Sequence, residues 1–259
     1  MLKICPLIDL FFTQEKCWTA RAEKIAACGF SAIETWKGGN LDELKAMVSG
    51  GVELVSVVLN FANEAEVAPC NPKNRAAFVD RIERYAANAL AVGCRQGIVT
   101  TGQQVGGLSY AAQRAALVEA LAAAAEKIAG FGFTLNLEPL NTEVDHQGYL
   151  LSSAMDAVAI VRETGSDKIK ILYDFYHITI MGGNQTEFLR FNWRDIGHFH
   201  AAGVPGRHEP AKGELNYPFV LAELERLGYS RYIGLEYFPL LPDERSLEET
   251  KNYFSAKIV

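Results

Sequence analysis

Several things are scarce in this 259-residue chain, and each scarcity excludes something. The five cysteines (Cys5, Cys17, Cys28, Cys70 and Cys94) are odd in number, widely spaced and include no C-x-x-C pair. Neither a disulfide framework nor a cysteine zinc site is expected; buried, inert thiols in a reducing cytoplasm are the simplest reading. No apolar run approaches the ~20 residues of a membrane span, since the stretch from Val52 to Phe61 is broken by Glu53, Ser56 and Asn60. The opening Met1-Leu2-Lys3-Ile4-Cys5-Pro6 has one positive charge, and the apolar run is interrupted at Asp9, unlike a secretory signal. Basic residues number 25 against 31 acidic ones, a formal charge of −6, and no basic stripe stands out. A nucleic-acid partner is therefore not expected. Glycine is absent between Leu10 and Gly29, and Gly102 to Gly107 (GQQVGG) has neither the G-x-G-x-x-G order nor a Walker lysine. A nucleotide-binding, doubly wound sheet thus lacks its fingerprint.

What is present is an ordinary globular balance, 49% apolar and 22% charged residues, with a rhythm running through it. A helical segment ends at a glycine, and a short apolar strand follows a few residues later. The glycines are Gly29, Gly50-Gly51, Gly93, Gly132, Gly165 and Gly228. Phe78, Ile82, Tyr85 and Ala89 recur at helical spacing within Arg75 to Ala91. The segment from Ala112 to Ala129 is alanine-rich, and Ser109 and Ser152 sit where N-caps would. Strands are predicted near residues 4–10, 31–36, 53–60, 97–101, 134–140, 169–176, 196–203 and 232–237. Helices fill the gaps, the sixth gap being the weakest. Strict alternation predicts a parallel sheet with right-handed crossovers. Eight units of about 32 residues predict a single (β/α)₈ TIM barrel of the α/β class, one domain over residues 1–259.

Chemistry in such a barrel lies at the carboxyl ends of the strands. Four consecutive strands end in side chains able to bind a metal or move a proton: Glu138, Asp174, His200 and Glu236, at intervals of 36, 26 and 36 residues. They are equivalent positions on neighbouring strands, and strand alternation turns them to a common side. The bland reading makes each a solvated strand end or a buried ion pair. Four in register favour a cation, because three carboxylates crowded together repel one another without one. Three carboxylates and an imidazole, with no thiolate, suit one divalent ion such as Mn²⁺, Mg²⁺ or Co²⁺. His177, just past Asp174, is expected in a loop, where it either donates to a substrate oxygen or lies in solvent. His198 is expected one layer below His200, as structural support. Arg207 is a candidate fork for a substrate carboxylate, the alternative being a pair with Glu209 or Glu214. Trp36, Phe11 and Phe12 could wall the pocket or pack in the core.

Over nearly its whole length the chain resembles the xylose-isomerase-like TIM barrels of sugar isomerases and epimerases, most closely the hydroxypyruvate isomerase group. The segments that carry the resemblance are Leu137-Glu138-Pro139-Leu140-Asn141, Tyr173-Asp174-Phe175-Tyr176-His177, Gly213-Glu214-Leu215-Asn216-Tyr217 and Gly234-Leu235-Glu236-Tyr237, with Val204-Pro205-Gly206-Arg207-His208-Glu209-Pro210 the most specific. The resemblance implies a divalent metal held by Glu138, Asp174, His200 and Glu236, with Glu138 and Glu236 shuttling protons between adjacent substrate carbons. The metal would chelate a carbonyl and a hydroxyl oxygen and stabilise a cis-enediolate, while the glutamates act as general acid and base. Two positions depart from the hydroxypyruvate isomerase pattern. His200 is usually glutamine there, and histidine looks more like the ketose 3-epimerases; Gly203 stands where aspartate is expected.

The expected activity is interconversion of hydroxypyruvate and tartronate semialdehyde or a related short 2-oxo acid, a small-molecule reaction needing neither nucleic acid nor membrane. A ketose 3-epimerase acting on longer sugars is the alternative. A repair endonuclease would need histidines at the ends of strands two to four, where the chain offers Glu34, Trp36, Asn60 and Thr100. A cyclic-polyol dehydratase could use the same metal site, and a sugar-binding protein would not need the full ligand set. Homo-oligomerisation is left open.

Overall fold

The computed structural model describes residues 3–255; the outermost positions of the expected 1–259 unit, 1–2 and 256–259, lie outside the described residues. Its strands are β1 (Lys3–Pro6), β2 (Ala32–Thr35), β3 (Glu53–Val58), β4 (Gln96–Val99), β5 (Thr134–Leu137), β6 (Ile169–Asp174), β7 (Ile196–Ala201) and β8 (Tyr232–Leu235). All ladders are parallel, in the order β1-β8-β7-β6-β5-β4-β3-β2. Between β1 and β2 the ring closes at a single parallel bridge, Leu7 to Glu34, where the Ile8 N–H donates to the Glu34 carbonyl at 2.9 Å. This is the (β/α)₈ barrel that the alternation predicts.

The helices are α1 (Trp18–Ala27), α2 (Leu41–Ser49), α3 (Glu64–Val67), α4 (Arg75–Ala91), α5 (Tyr110–Lys127), α6 (Ala154–Glu163), α7 (Phe175–Met181), α8 (Gln185–Asn192), α9 (Tyr217–Arg226) and α10 (Asp243–Ser255). The predicted helix over 75–91 matches α4 residue for residue. Five helix-ending glycines, Gly29, Gly51, Gly93, Gly165 and Gly228, have φ between 68° and 90°, the left-handed geometry that stops a helix. Ser109 caps α5 by accepting from the Ala112 N–H. The cap of α6 is Ser153, one residue beyond the expected Ser152. No helix among the described residues is long and apolar enough to cross a membrane.

Every predicted strand runs past the carboxyl end of the observed one, β1 and β6 with the clearest consequences. β1 stops at Pro6, and the apolar Leu7, Ile8 and Leu10 are core residues of the following loop. β6 stops at Asp174, whose side chain accepts from the Tyr176 N–H at 2.8 Å and caps α7. Phe175, Tyr176 and His177 therefore lie on a helix, and the expected loop position of His177 is corrected.

Strand alternation divides β7 between two environments. His198 and His200 meet side chains from across the barrel interior, whereas Phe199 faces the helices. Its ring stacks on Phe175 with centroids 5.4 Å apart and meets Tyr229 edge-on at 4.8 Å. Phe199→Ala is expected to cost about 3–5 kcal/mol of unfolding free energy, read from urea denaturation. A change below ~1 kcal/mol would show that this layer is not tightly packed.

Candidate functional site

The barrel order sets Asp174 beside His200 in register, and His200 beside Gly234. Glu138 and Glu236 each follow the last residue of their strand; their N–H groups donate to Val99 and Ala201 of the neighbouring strands. The result is one buried group. Glu138, Asp174, His200 and Glu236 offer ligand atoms that all lie within 4.8 Å of one another, and none is more than 7% exposed.

Neighbours treat the carboxylates unequally. Glu236 accepts from Trp36 Nε1 at 2.8 Å and from Arg207 Nη2 at 2.7 Å, and its Oε2 lies 2.7 Å from His200 Nδ1. Burial opposes its ionisation, but Arg207 and His200 outweigh burial and hold its carboxyl well below the usual range. Glu138 has no such support: its Oε1 is buried without a hydrogen-bond partner. Burial first, then the nearby Glu236 charge, push it up to about 8. Asp174 is also raised, chiefly by burial. Two carboxylates whose proton affinities are driven apart are what an acid–base pair requires.

His177 is fully buried rather than solvent-exposed. Its Nδ1 faces two donors, the Asn141 backbone N–H at 3.2 Å and Asn141 Nδ2 at 2.7 Å. That assigns the proton to Nε2. Burial holds the ring far below the usual histidine range, so it is a neutral donor. Nε2 has no hydrogen-bond partner and lies 3.5 Å from Asp174 Oδ2. Asn141 is fixed in turn, its Oδ1 accepting from the Val144 and Asp145 N–H groups.

Arg207 pairs with neither Glu209 nor Glu214. Its Nη2 donates to Asp174 at 3.1 Å and to Glu236 at 2.7 Å, Nε donates to the Glu236 carbonyl, and the guanidinium lies over the Tyr176 ring. Nη1 stands outside these bonds. Arg207 has a left-handed φ of 57°, uncommon for a residue with a side chain. The loop holds it there: Arg207 N–H donates to Gly203 O, and Phe238 N–H to Arg207 O. The partner expected for Arg207, Glu209, instead binds the loop after β8, accepting from the Leu240 and Leu241 N–H groups and Ser246.

Of the remaining expectations, Trp36 reaches the site through its indole N–H, whereas Phe11 is core and packs edge-on against Tyr237. Phe12 is buried at a φ of 52°. His198 lies behind His200 as expected. Sequence reasoning passed over Glu34 except to note that it is not histidine. The structure makes it the shared partner of His198 and His200, with His200 Nε2 at 2.8 Å. The available signal was a carboxylate inside a four-residue strand buried along its length, which must find donors there.

Two polar atoms in this one cluster, Glu138 Oε1 and His177 Nε2, lack partners, and His200 Nδ1 meets only Glu236 Oε2 at 2.7 Å. Orphans are rare in buried protein and call for an explanation. Glu138 Oε1 is an electron-pair donor, and His200 Nδ1 becomes one when its proton leaves; with three carboxylates and one imidazole together, that set fits a hard or borderline divalent cation. His177 Nε2 is an N–H. A separate cavity of about 500 Å³ at the opposite end of the barrel, lined by Lys3, Glu53, Arg95, Gln96 and Tyr232 among others, contains none of these residues.

Known proteins resemble the chain throughout. The profile of the family described as xylose isomerase-like TIM barrel matches residues 22–256. A 2-oxo-tetronate isomerase of Cupriavidus necator is 37% identical over 182 residues, 70% of either chain. The hydroxypyruvate isomerase of Escherichia coli K12 is 30% identical over 95% of this chain and 97% of its own. Among solved structures, one described as an AP endonuclease, family 2, from Brucella melitensis superposes with a TM-score of 0.89 at 27% identity, covering 98% of this chain and 99% of that one. A 3-keto-D-glucoside 4-epimerase from E. coli shares the fold, with a TM-score of 0.82 at 20% identity over 98% and 99% of the two chains.

Gly203 has a steric reason to be glycine in this loop. A Cβ there would lie 2.7 Å from the Glu209 carbonyl oxygen and 3.2 Å from that of His208. Gly203→Ala is expected to lower stability by about 1–3 kcal/mol, the usual cost of overpacking, and to shift the denaturation midpoint. An unchanged midpoint would mean that the loop yields freely.

Proposed function

Because the chain belongs to the xylose isomerase-like TIM barrel family and is an isomerase, we propose that it shifts a carbonyl between adjacent carbons of a short 2-oxo acid. Hydroxypyruvate and tartronate semialdehyde, or a related acid such as a 2-oxo-tetronate, are the proposed pair. The observation that carries this reading is a guanidinium set inside a cluster of three carboxylates and an imidazole. The cluster supplies proton transfer, and the guanidinium supplies recognition of a carboxylate.

Glu138, Asp174, His200 and Glu236 would hold one divalent ion, Mn²⁺, Mg²⁺ or Co²⁺. When bound, that ion supplies Lewis-acid polarisation of substrate oxygens. The side chains do the rest. One of Glu138 and Glu236 removes the proton from the hydroxyl-bearing carbon, the other delivers a proton to the former carbonyl carbon, and the hydroxyl proton passes to the former carbonyl oxygen. The unequal environments of the two glutamates suit opposite roles at the same pH. His177 Nε2–H donates to a substrate oxygen, and its neutral state lets it donate without adding charge. Arg207, steadied over Tyr176 and by the Glu236 carbonyl, offers Nη1 to the substrate carboxylate.

Ketose 3-epimerisation is the second reading. His200 in the ligand set favours it, and it requires no carboxylate fork. Against a repair nuclease, the ends of β2, β3 and β4 bring Glu34, Trp36, Asn60 and Thr100, with no histidine among them.

A panel of hydroxypyruvate, 2-oxo-tetronate and neutral ketoses, assayed with Mn²⁺ and again after EDTA, tests the reading. Turnover of an oxo acid that chelation abolishes and Mn²⁺ restores is expected. Epimerisation of a ketose with no oxo-acid turnover overturns the substrate assignment. Glu138→Gln and Glu236→Gln should each lower kcat by at least ~10²-fold; near-wild-type turnover in either refutes its role. Arg207→Lys keeps the charge but loses the planar guanidinium that binds Asp174 and Glu236 while offering Nη1. It should raise KM for the oxo acid by about 10-fold or more and leave any ketose turnover comparatively untouched.

A further inference from the structure

A continuous run of buried polar side chains crosses the barrel interior beneath the carboxylate cluster. Asn136 Nδ2 donates to Gln96 Oε1 at 3.2 Å, and Gln96 Nε2 lies 3.4 Å from His198 Nδ1. Once Gln96 donates there, His198 Nδ1 accepts and Nε2 carries a proton, which bonds Glu34 Oε1. The other Glu34 oxygen faces His200 Nε2 at 2.8 Å. An ionised carboxylate only accepts, so His200 must also carry a proton on Nε2. We infer that Glu34 is the positioning residue for the cation site: it holds the His200 proton on Nε2, so that Nδ1 is the nitrogen that yields its proton and turns a lone pair to a cation among Glu138, Asp174 and Glu236. This rests on the cation-site reading given above.

Two further features support the assignment. Gly234, beside His200 in register, is bare where a Cβ would lie 2.6 Å from His200 Cδ2 and 2.7 Å from both Glu34 oxygens. A side chain on β8 at that point would pry the imidazole and carboxylate apart. Cys5 Sγ also approaches Glu34 Oε1, at 3.0 Å. Glu34 thus receives three donors. Although Glu34, His198 and His200 lie close enough to suggest a second cation site, a cation there would have to replace the Nε2 protons that both imidazoles give to Glu34, and the three act as a hydrogen-bonded support. Partners behind a ligating imidazole commonly set ring orientation and ligand basicity.

Glu34→Gln is the discriminating variant, because it is nearly isosteric and its amide can accept from one Nε2–H but must present N–H to the other. Mn²⁺ titrated calorimetrically into metal-stripped protein should bind the variant about 10–100-fold more weakly than wild type, with the melting temperature of the metal-free protein changed by only a few degrees. A fall in melting temperature with an unchanged Kd would make Glu34 merely structural and overturn the inference. Equal affinity with equal stability also overturns it. Wild-type protein that takes up no Mn²⁺ overturns the cation site itself, a distinct result. If Glu34→Gln does not fold, wild type decides: in ¹⁵N-histidine spectra of the Mg²⁺-loaded protein, His200 should carry its proton on Nε2, and a proton on Nδ1 refutes the assignment.

Discussion

Three carboxylates share one desolvated space, and most of the site answers that constraint. At an effective dielectric near 20, two unit charges 4 Å apart interact by ~4 kcal/mol. Glu138, Asp174 and Glu236 would each avoid ionising there unless something offset the repulsion. The compensating groups are named in the geometry: Arg207 between Asp174 and Glu236, His200 against Glu236, and the indole of Trp36 on the same carboxylate. They fall unevenly, since all of the hydrogen bonds go to Asp174 and Glu236 and none reaches Glu138 Oε1. The same crowding that asks for a cation therefore also separates the two glutamates in proton affinity, so charge balance and acid–base polarity are one problem with one solution.

Holding an arginine in that space requires a stiff loop. Arg207 sits at a strained φ, a cost on the order of 1–3 kcal/mol. The loop after β7 meets this with bonds of its own: Gly203 N–H to His208 O, Glu214 N–H to Val204 O, and His208 Nδ1 to the Phe238 carbonyl. Glu209 extends the clamp to the loop after β8. Strands seven and eight thus deliver Arg207 and Glu236 as one rigid unit. A guanidinium with only Nη1 left to bind a ligand gains most from such preorganisation, because little remains to be ordered when a ligand arrives.

The barrel was legible because its signals are local. Short apolar strands, helix-stopping glycines and one repeat length recur eight times, and each strand needs only its own residues to be seen. Strand ends were less legible because apolar side chains continue past the ladder. Leu7 and Ile8 belong to the core as fully as the strand before them, and Phe175 opens a helix capped by Asp174 rather than extending β6. The clustering of Glu138, Asp174, His200 and Glu236 was legible because they occupy equivalent positions on consecutive strands. Arg207 was only half legible. Proximity along the chain suggested Glu209 or Glu214, but the left-handed turn carries its side chain to residues 33 and 29 positions away.

Glu34 was hidden for a topological reason. Chemistry read along consecutive strands assigns the site to β5 through β8 and treats β2 as scaffold. A closed barrel has no such end. β1 lies between β8 and β2, so that β2 approaches β8 and β7 across the interior, and residues some 165 to 200 positions apart come into hydrogen-bond contact. The bridge that closes the barrel is made by the backbone of Glu34 itself, while its side chain supports His200. Closure of the sheet and orientation of the imidazole therefore depend on the same residue. A shift of one position in β2 would turn that carboxylate to the opposite face and leave His200 without its acceptor. Register at the seam of the barrel is thus a condition on the chemistry at its mouth.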